Sequence, residues 1–179
     1  MTRTLIGFTG FAGAGKSTAS AALVKHRGFT QLSFATPLRA MLVATGIEPE
    51  WLLERKDEII PWLGVTGRHL MQTAGTEWGR NLVHPDFWVR LAQRRVQTQP
   101  DKRIVFDDVR FDNEARMICG LGGVIIGIRR DFPTLRGQMN HASEAGVSEG
   151  LVDRWIGNFG ADKDLFSKLV LAIHDKGAT

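Results

Sequence analysis

The residues with the clearest chemical potential form one run near the start of the chain, Gly10-Phe11-Ala12-Gly13-Ala14-Gly15-Lys16-Ser17. Their spacing fits G-x-x-x-x-G-K-[ST]. In such a loop the glycines let successive backbone N–H groups turn inward on a polyphosphate, and the helix that follows adds the positive end of its dipole. Gly13, Ala14, Gly15 and Thr18 would contribute to that cradle. Lys16 would reach the β- and γ-phosphates, and Ser17 would place its hydroxyl on Mg²⁺. The context agrees: Thr4–Thr9 is short and apolar enough for a buried strand, and Thr18–Lys25 is an alanine-rich helix former. These residues predict a nucleotide-binding protein.

Other groups have the right chemistry to assist. Asp107 and Asp108 follow an apolar run, and a carboxylate at the C-terminal tip of a buried strand beside a phosphate loop suits Mg²⁺ or its water shell. Of the two, Asp108 is the preferred candidate. Arg39, Arg68, Arg80, Arg110, Arg129, Arg130 and Arg136 fall at helix starts, strand ends or in a polar connection. Their guanidinium forks match phosphate oxygens two at a time. Arg129 and Arg130 end a strand, and one of them is expected to point inward. The run Arg68–Arg80 carries Gly75 and Gly79 around Thr76-Glu77-Trp78, at about 1 kcal/mol per interior glycine in a helix. That cost implies close backbone approach to a ligand or another element. Asp86-Phe87-Trp88 offers a carboxylate and two rings able to stack a base, although such rings also suit a core. His141-Ala142-Ser143-Glu144 lacks any accompanying oxyanion-hole pattern and is not read as a Ser–His pair, and no Cys/His cluster suits zinc.

Positioning these groups needs a scaffold. Apolar strand-like runs at Leu5–Phe8, Phe29–Ala35, Arg103–Asp107, Gly123–Arg129 and Arg154–Ile156 alternate with helical stretches. Helices are expected at Lys16–Lys25, Thr36–Thr45, Arg68–Leu82, Asp86–Gln97, Glu114–Leu121 and Lys163–His174, with Gly28 stopping the first and Thr36 able to cap the second. Near-continuous apolar strands separated by helices predict an α/β fold: a three-layer sandwich with a five-stranded parallel sheet and helices on both faces. Residues 1–179 read as a single domain, with 46–100 as a helical insertion and 131–150 as a candidate lid. Trp51-Leu52-Leu53 suits either core or interface.

At 179 residues the chain is long enough to bury about 70% of its unfolded surface. Cys119 is the only cysteine, which excludes an intrachain disulfide and suits a reducing, cytoplasmic setting; it is expected to be a small buried hydrophobe. No apolar run approaches the roughly 18 residues of a membrane span, and Met1-Thr2-Arg3-Thr4 leaves no room for a signal peptide before the first strand. The net charge of +4 comes from 23 scattered Lys and Arg residues with no dense basic block, so stable nucleic-acid binding is not expected.

The residues resemble the deoxynucleoside monophosphate kinases of tailed bacteriophages, within the P-loop kinase superfamily. The resemblance covers most of the chain. It rests on Gly10–Ser17, Ser33-Phe34-Ala35-Thr36-Pro37-Leu38-Arg39, Gly75-Thr76-Glu77 within Arg68–Arg80, Asp86-Phe87-Trp88, Asp108-Val109-Arg110-Phe111-Asp112-Asn113-Glu114, His141–Glu144 and Asn158-Phe159-Gly160. It implies transfer of the ATP γ-phosphoryl to deoxynucleoside 5′-monophosphates with Mg²⁺ as cofactor, supplying DNA precursors in a phage-infected host cytoplasm. Lys16 would follow the moving phosphoryl, Ser17 and Asp108 would serve the metal, and Arg129, Arg130 and Arg136 would supply lid charge. Asn158 would lie near the donor adenine. Arg39, Arg68, Arg80, Glu77, Asp86 and Trp88 would serve the acceptor. Where the family often has Asp-Pro-Leu-Lys, this chain has Thr36-Pro37-Leu38-Arg39, losing an acid and keeping the positive charge. Rival readings are another small-molecule P-loop kinase, resembling dephospho-coenzyme A kinase, and a DNA-stimulated ATPase or switch. A homodimer is compatible with all of these.

Overall fold

The computed structural model describes residues 4–99, 102–130 and 146–158, together with 167 and 169. Its apolar runs become five strands: β1 (Leu5–Thr9), β2 (Thr30–Leu32), β3 (Ile104–Phe106), β4 (Val124–Arg129) and β5 (Arg154–Gly157). They form one parallel sheet in the order β2-β3-β1-β4-β5. β1 and β3 are buried along their whole lengths, the pattern that a sheet covered on both faces requires. The second and third strands are shorter than expected, because only Thr30–Leu32 and Ile104–Phe106 pair in register. The chain runs from β1 to one side of the sheet and returns to place β4 on the other. The C-terminal ends of β1, β3 and β4 therefore flank a topological switch point, where open α/β sheets bind ligands.

The helices are α1 (Lys16–Arg27), α2 (Thr36–Ala44), α3 (Gly67–Gln72), α4 (Phe87–Gln97) and α5 (Asp112–Gly120). α1 stops as its sequence predicts. Gly28 is left-handed at φ 66°, and Phe29 N–H closes on the Leu23 carbonyl at 3.4 Å. The single helix expected over Arg68–Leu82 is instead α3 followed by Thr73–Val83 in the wider π form, whose i−5 bond is seen at its end from His84 N–H to the Gly79 carbonyl at 3.1 Å. Thr36 does not cap α2: it is the first helical residue, and Ala35 occupies the cap position without a side-chain hydrogen bond. Cys119 is exposed rather than buried. Its neighbour Ile118 faces the core at 0% exposure, and one residue of α-helix turns the next side chain well away from that direction.

The described residues of Met1–Ser33 and Arg95–Thr179 form one compact unit, and Phe34–Arg94 form a second. The first is organised around Ile6, Phe8, Leu23, Val105, Ile126 and Ile128. The second has its own core, in which Trp51 and Leu52 pack with Leu38, Leu42, Ile60 and Trp88 while Leu53 is exposed. Most of the candidate lid, with Arg136 and His141–Glu144, lies outside the described residues, as does most of the expected helix Lys163–His174.

Where the chain is described again after that segment, Ser148 is fixed to the start of α5. Its backbone N–H and its hydroxyl donate to the two carboxylate oxygens of Asp112 at 2.8 and 2.7 Å, and Arg116 stands 3.3 Å away. The Ser148 bonds, with help from Arg116, hold the Asp112 carboxyl below the ordinary carboxylate range. A depressed carboxylate contributes stability that is present above the unfolded value of 3.8 and lost as pH falls through the lower folded value. Asp112→Asn should therefore be less stable than the parent in urea at pH 7, and the difference should close as the pH is lowered into the acid range. A difference that stays constant down to pH ~2 would remove the charge of Asp112 from that account.

Candidate active site

The site begins with the phosphate loop between β1 and α1. Gly10, Gly13 and Gly15 take φ values of 130°, 75° and 106°, the region in which a side chain is strained and glycine is not. The loop thus closes into the start of α1. Ala14 N–H bonds back to the Phe11 carbonyl at 3.2 Å, and Ala19 N–H to the Gly15 carbonyl at 2.9 Å. Lys16 folds over the loop, and its Nζ donates to the carbonyls of Gly10 at 2.6 Å and Phe11 at 2.8 Å. Ser17 and Thr18 lie at the start of α1, both exposed.

The two carboxylates after β3 go to different partners. Ser17 Oγ donates to Asp107 Oδ2 at 3.3 Å, whereas Ser33 Oγ donates to Asp108 Oδ2 at 2.6 Å. The carboxylate beside the loop serine is therefore Asp107, not the Asp108 preferred from sequence. The two side chains leave the end of β3 in different directions, which takes one to Ser17 and the other to Ser33. Burial and the charge of Asp108 push the Asp107 carboxyl up, partly offset by the Ser17 hydroxyl.

These donors fit Mg²⁺. They are hard oxygen ligands, a hydroxyl and a carboxylate, and the carboxylate is partly desolvated beside a like charge that a cation would offset. Among the described residues no group of three or more His, Cys, Asp or Glu converges on a metal position. Mg²⁺ in phosphoryl-transfer sites is usually held by one or two carboxylates plus substrate phosphates and water.

The remaining expected site residues divide between the two units. In the first, Arg129 and Arg130 are both exposed. Arg129 lies over the Trp155 ring at 3.8 Å and bonds Glu149 at 2.9 Å, so its guanidinium is occupied at the sheet edge rather than turned inward. Asn158 is buried and donates to the Ala14 carbonyl at 2.9 Å, which makes it part of the loop's support. No local pattern in the sequence signals that contact, which spans almost the whole chain. Glu114 is another buried group whose structural part only the fold reveals: its carboxylate accepts the backbone N–H groups of Arg110 and Phe111 at 2.7 and 3.1 Å, fixing the turn after Asp108.

In the second unit, Arg39 is half-buried, Glu77 is exposed and Asp86 is half-buried, its backbone N–H bonded to His84 Nδ1 at 2.9 Å. Arg68 forms a two-pronged pair with Asp57, Nε to Oδ1 at 2.5 Å and Nη2 to Oδ2 at 3.1 Å. Arg80 is only 9% exposed and donates to the Pro85 carbonyl at 3.3 Å. Trp88, expected beside a base, is a core residue. Its indole N–H donates to the Gly75 carbonyl at 2.8 Å, and a Cβ added to Gly79 would lie 2.5 Å from the same nitrogen. Trp88 thus explains the glycine at 79, whereas a Cβ at Gly75 would meet Leu38 Cδ2 at 3.2 Å. Phe87 and Trp78 continue the cluster edge-to-face, with ring centroids 5.6 Å apart.

A phosphate loop opening a helix from the central strand of a five-stranded parallel sheet, with a carboxylate after the adjacent strand beside its serine, defines a P-loop nucleotide-binding fold. Among solved structures the chain is similar to dephospho-CoA kinase from Campylobacter jejuni, at TM-score 0.55 and 17% identity with 100% of both chains covered. It is also similar to shikimate kinase from Acinetobacter baumannii, at TM-score 0.53 and 13% identity over 100% of this chain and 97% of that one. At such identities these likenesses show the fold alone. A family model described as deoxynucleotide monophosphate kinase matches residues 63–169. An Acanthamoeba polyphaga mimivirus protein, provisionally described as a deoxynucleotide monophosphate kinase, is 33% identical over 156 residues, 78% of this chain and 80% of its own length. The deoxynucleoside-5′-monophosphate kinase of Escherichia phage T5 is 25% identical over 107 residues, 56% of this chain and 43% of its own. The chain belongs to the deoxynucleotide monophosphate kinase family.

Proposed function

We propose that this protein transfers the γ-phosphoryl group of ATP to deoxynucleoside 5′-monophosphates, giving the diphosphates that feed DNA synthesis. The observation that carries the reading is the Lys16–Ser17–Asp107 arrangement on the phosphate loop of a chain that belongs to this family. The amides of residues 13–18 would hold the donor phosphates. Lys16 would exchange its two carbonyl partners for phosphate oxygens as ATP enters, following the charge on the transferred group. Ser17 and Asp107 would hold Mg²⁺, which supplies neutralisation of the β- and γ-phosphate oxygens when bound.

An acceptor monophosphate is largely ionised at neutral pH, with a second pKa of about 6. Its oxygen can attack the γ-phosphorus directly, forming a new P–O bond while the bond to ADP breaks, and no side chain need remove a proton. The protein's work is then positioning and charge stabilisation. Arg39 and Arg80 are the acceptor-phosphate candidates, with Arg68 joining them if it exchanges Asp57 for phosphate; Asp86 and Glu77 are candidates for the sugar or base. Trp88 would act through the backbone it braces. Arg129 and Arg130 would supply charge to the transferred phosphoryl once Arg129 leaves Glu149. No described helix is long and apolar enough to cross a membrane.

A coupled ADP-release assay with Mg-ATP and each deoxynucleoside monophosphate, beside dephospho-coenzyme A and DNA, tests this reading. Turnover with one or more deoxynucleotides is expected. Release with dephospho-coenzyme A alone, or only on adding DNA, would replace it with one of the rival readings. Arg80→Ala should raise the acceptor KM about tenfold or more, the scale of one hydrogen bond to a charged group, and leave the ATP KM nearly unchanged. Equal increases in both would take Arg80 out of the acceptor contacts.

A further inference from the structure

Ala14 lies between Gly13 and Gly15, both at positive φ. Glycine tolerates many backbone conformations, so the loop itself does little to fix which way the Ala14–Gly15 peptide faces. For an anion site that direction matters. An N–H turned toward a phosphate attracts it, whereas a carbonyl turned the same way repels it.

Asn158 supplies what the loop lacks. It follows β5, is only 6% exposed, and donates Nδ2–H to the Ala14 carbonyl at 2.9 Å. Its backbone N–H is tied in turn to the Arg129 carbonyl at the end of β4 at 2.7 Å. An acceptor carbonyl needs a donor opposite, so the amide has one useful orientation here, with nitrogen toward Ala14. Ala14 is itself buried at 3% exposure, so the bond is shielded from water and an unpaired carbonyl there would be costly.

We infer that Asn158 is a positioning residue of the donor site, a strut from the β4–β5 edge that keeps the Ala14 carbonyl turned away from the bound phosphates and so presets the loop amides. The adenine contact expected from sequence is not part of this assignment. The inference rests on reading Gly10–Ser17 as the nucleotide phosphate site and is independent of which acceptor is used.

Asn158→Ala and Asn158→Asp test it. The aspartate is nearly the same size but sets a carboxylate oxygen against the Ala14 carbonyl oxygen, so it should be the worse of the two. Affinity for ATP and for inorganic tripolyphosphate, read by titration calorimetry, should fall about tenfold in the alanine variant and further in the aspartate variant. The acceptor KM should stay within about twofold. Both variants binding tripolyphosphate like the parent, or equal losses in the ATP and acceptor KM, would overturn the inference. Hydrogen exchange of the Asn158 side-chain amide in the unaltered protein gives a reading that needs no variant to fold. Slow exchange supports the strut, and exchange as fast as an exposed asparagine overturns it. Unaltered protein that binds neither ATP nor tripolyphosphate would bring down the phosphate-site reading and this inference together.

Discussion

Replacing Lys16 with alanine is expected to abolish turnover while the protein remains folded. A single cation placed on a transferred phosphoryl group is worth about 10³–10⁵ in rate, because charge spreads over that group in the transition state and water is excluded from around it. The structural cost is small by comparison. Lys16 is half-buried and its Nζ contacts the carbonyls of Gly10 and Phe11, so its loss removes two hydrogen bonds at the rim of the loop and empties no core cavity. A stability change within about 1 kcal/mol follows. Lys16→Arg should rescue little, since a planar fork does not replace a compact ammonium in a loop built around one. The check is single-turnover phosphoryl transfer together with a thermal melt. Near-normal transfer by a folded Lys16→Ala protein would sink the assigned chemistry.

Asp107→Asn should lose activity and gain stability. The gain follows from the sign of the shift. Burial and the Asp108 charge raise the Asp107 carboxyl above its ordinary 3.8, so the folded protein without metal is disfavoured once the pH rises past that range. An amide removes the penalty. The variant should therefore melt higher than the parent at pH 7 without Mg²⁺, with the two converging at acid pH as the parent's carboxyl takes up its proton. The loss should be at least about 10²-fold in kcat, the scale of one preorganised electrostatic contact, with a higher Mg²⁺ requirement. Asp108→Asn is the comparison. Its carboxylate is bonded to Ser33 rather than to Ser17, and a loss of less than about tenfold is expected. A larger effect at Asp108 than at Asp107 would reverse the assignment of the metal-side carboxylate.

Much of this is legible in the amino-acid sequence. The phosphate loop, the strand before it and the helix after it are local features, each specified by residues within a few positions of one another. Glycines at fixed spacing, an apolar run and an alanine-rich stretch suffice. The same holds for the α1 stop at Gly28 and for the alternation of apolar strands with helices that implies a parallel sheet. Less legible is the stretch Arg68–Arg80. Its glycines imply that something comes close, but periodicity does not distinguish an α-helix from the π winding of Thr73–Val83, and the tryptophan that fills the space beside Gly79 comes from the next helix.

By itself, then, the sequence determined the fold class, the phosphate loop and the pool of residues able to serve it. Tertiary structure decided which members of that pool meet. Asp107 and Asp108 are neighbours with identical chemistry, and only their directions at the end of β3 send one to Ser17 and the other to Ser33. Asn158 reaches Ala14 because β5 pairs with β4 and β4 with β1, a chain of register that no local pattern encodes. Cys119 is exposed and Ile118 buried through one step of helix rotation set by what α5 packs against. The physical reason is common to these cases. Backbone propensity and glycine geometry act over a few residues, whereas the hydrogen-bond partner of a side chain is fixed only when distant strands and helices close around it.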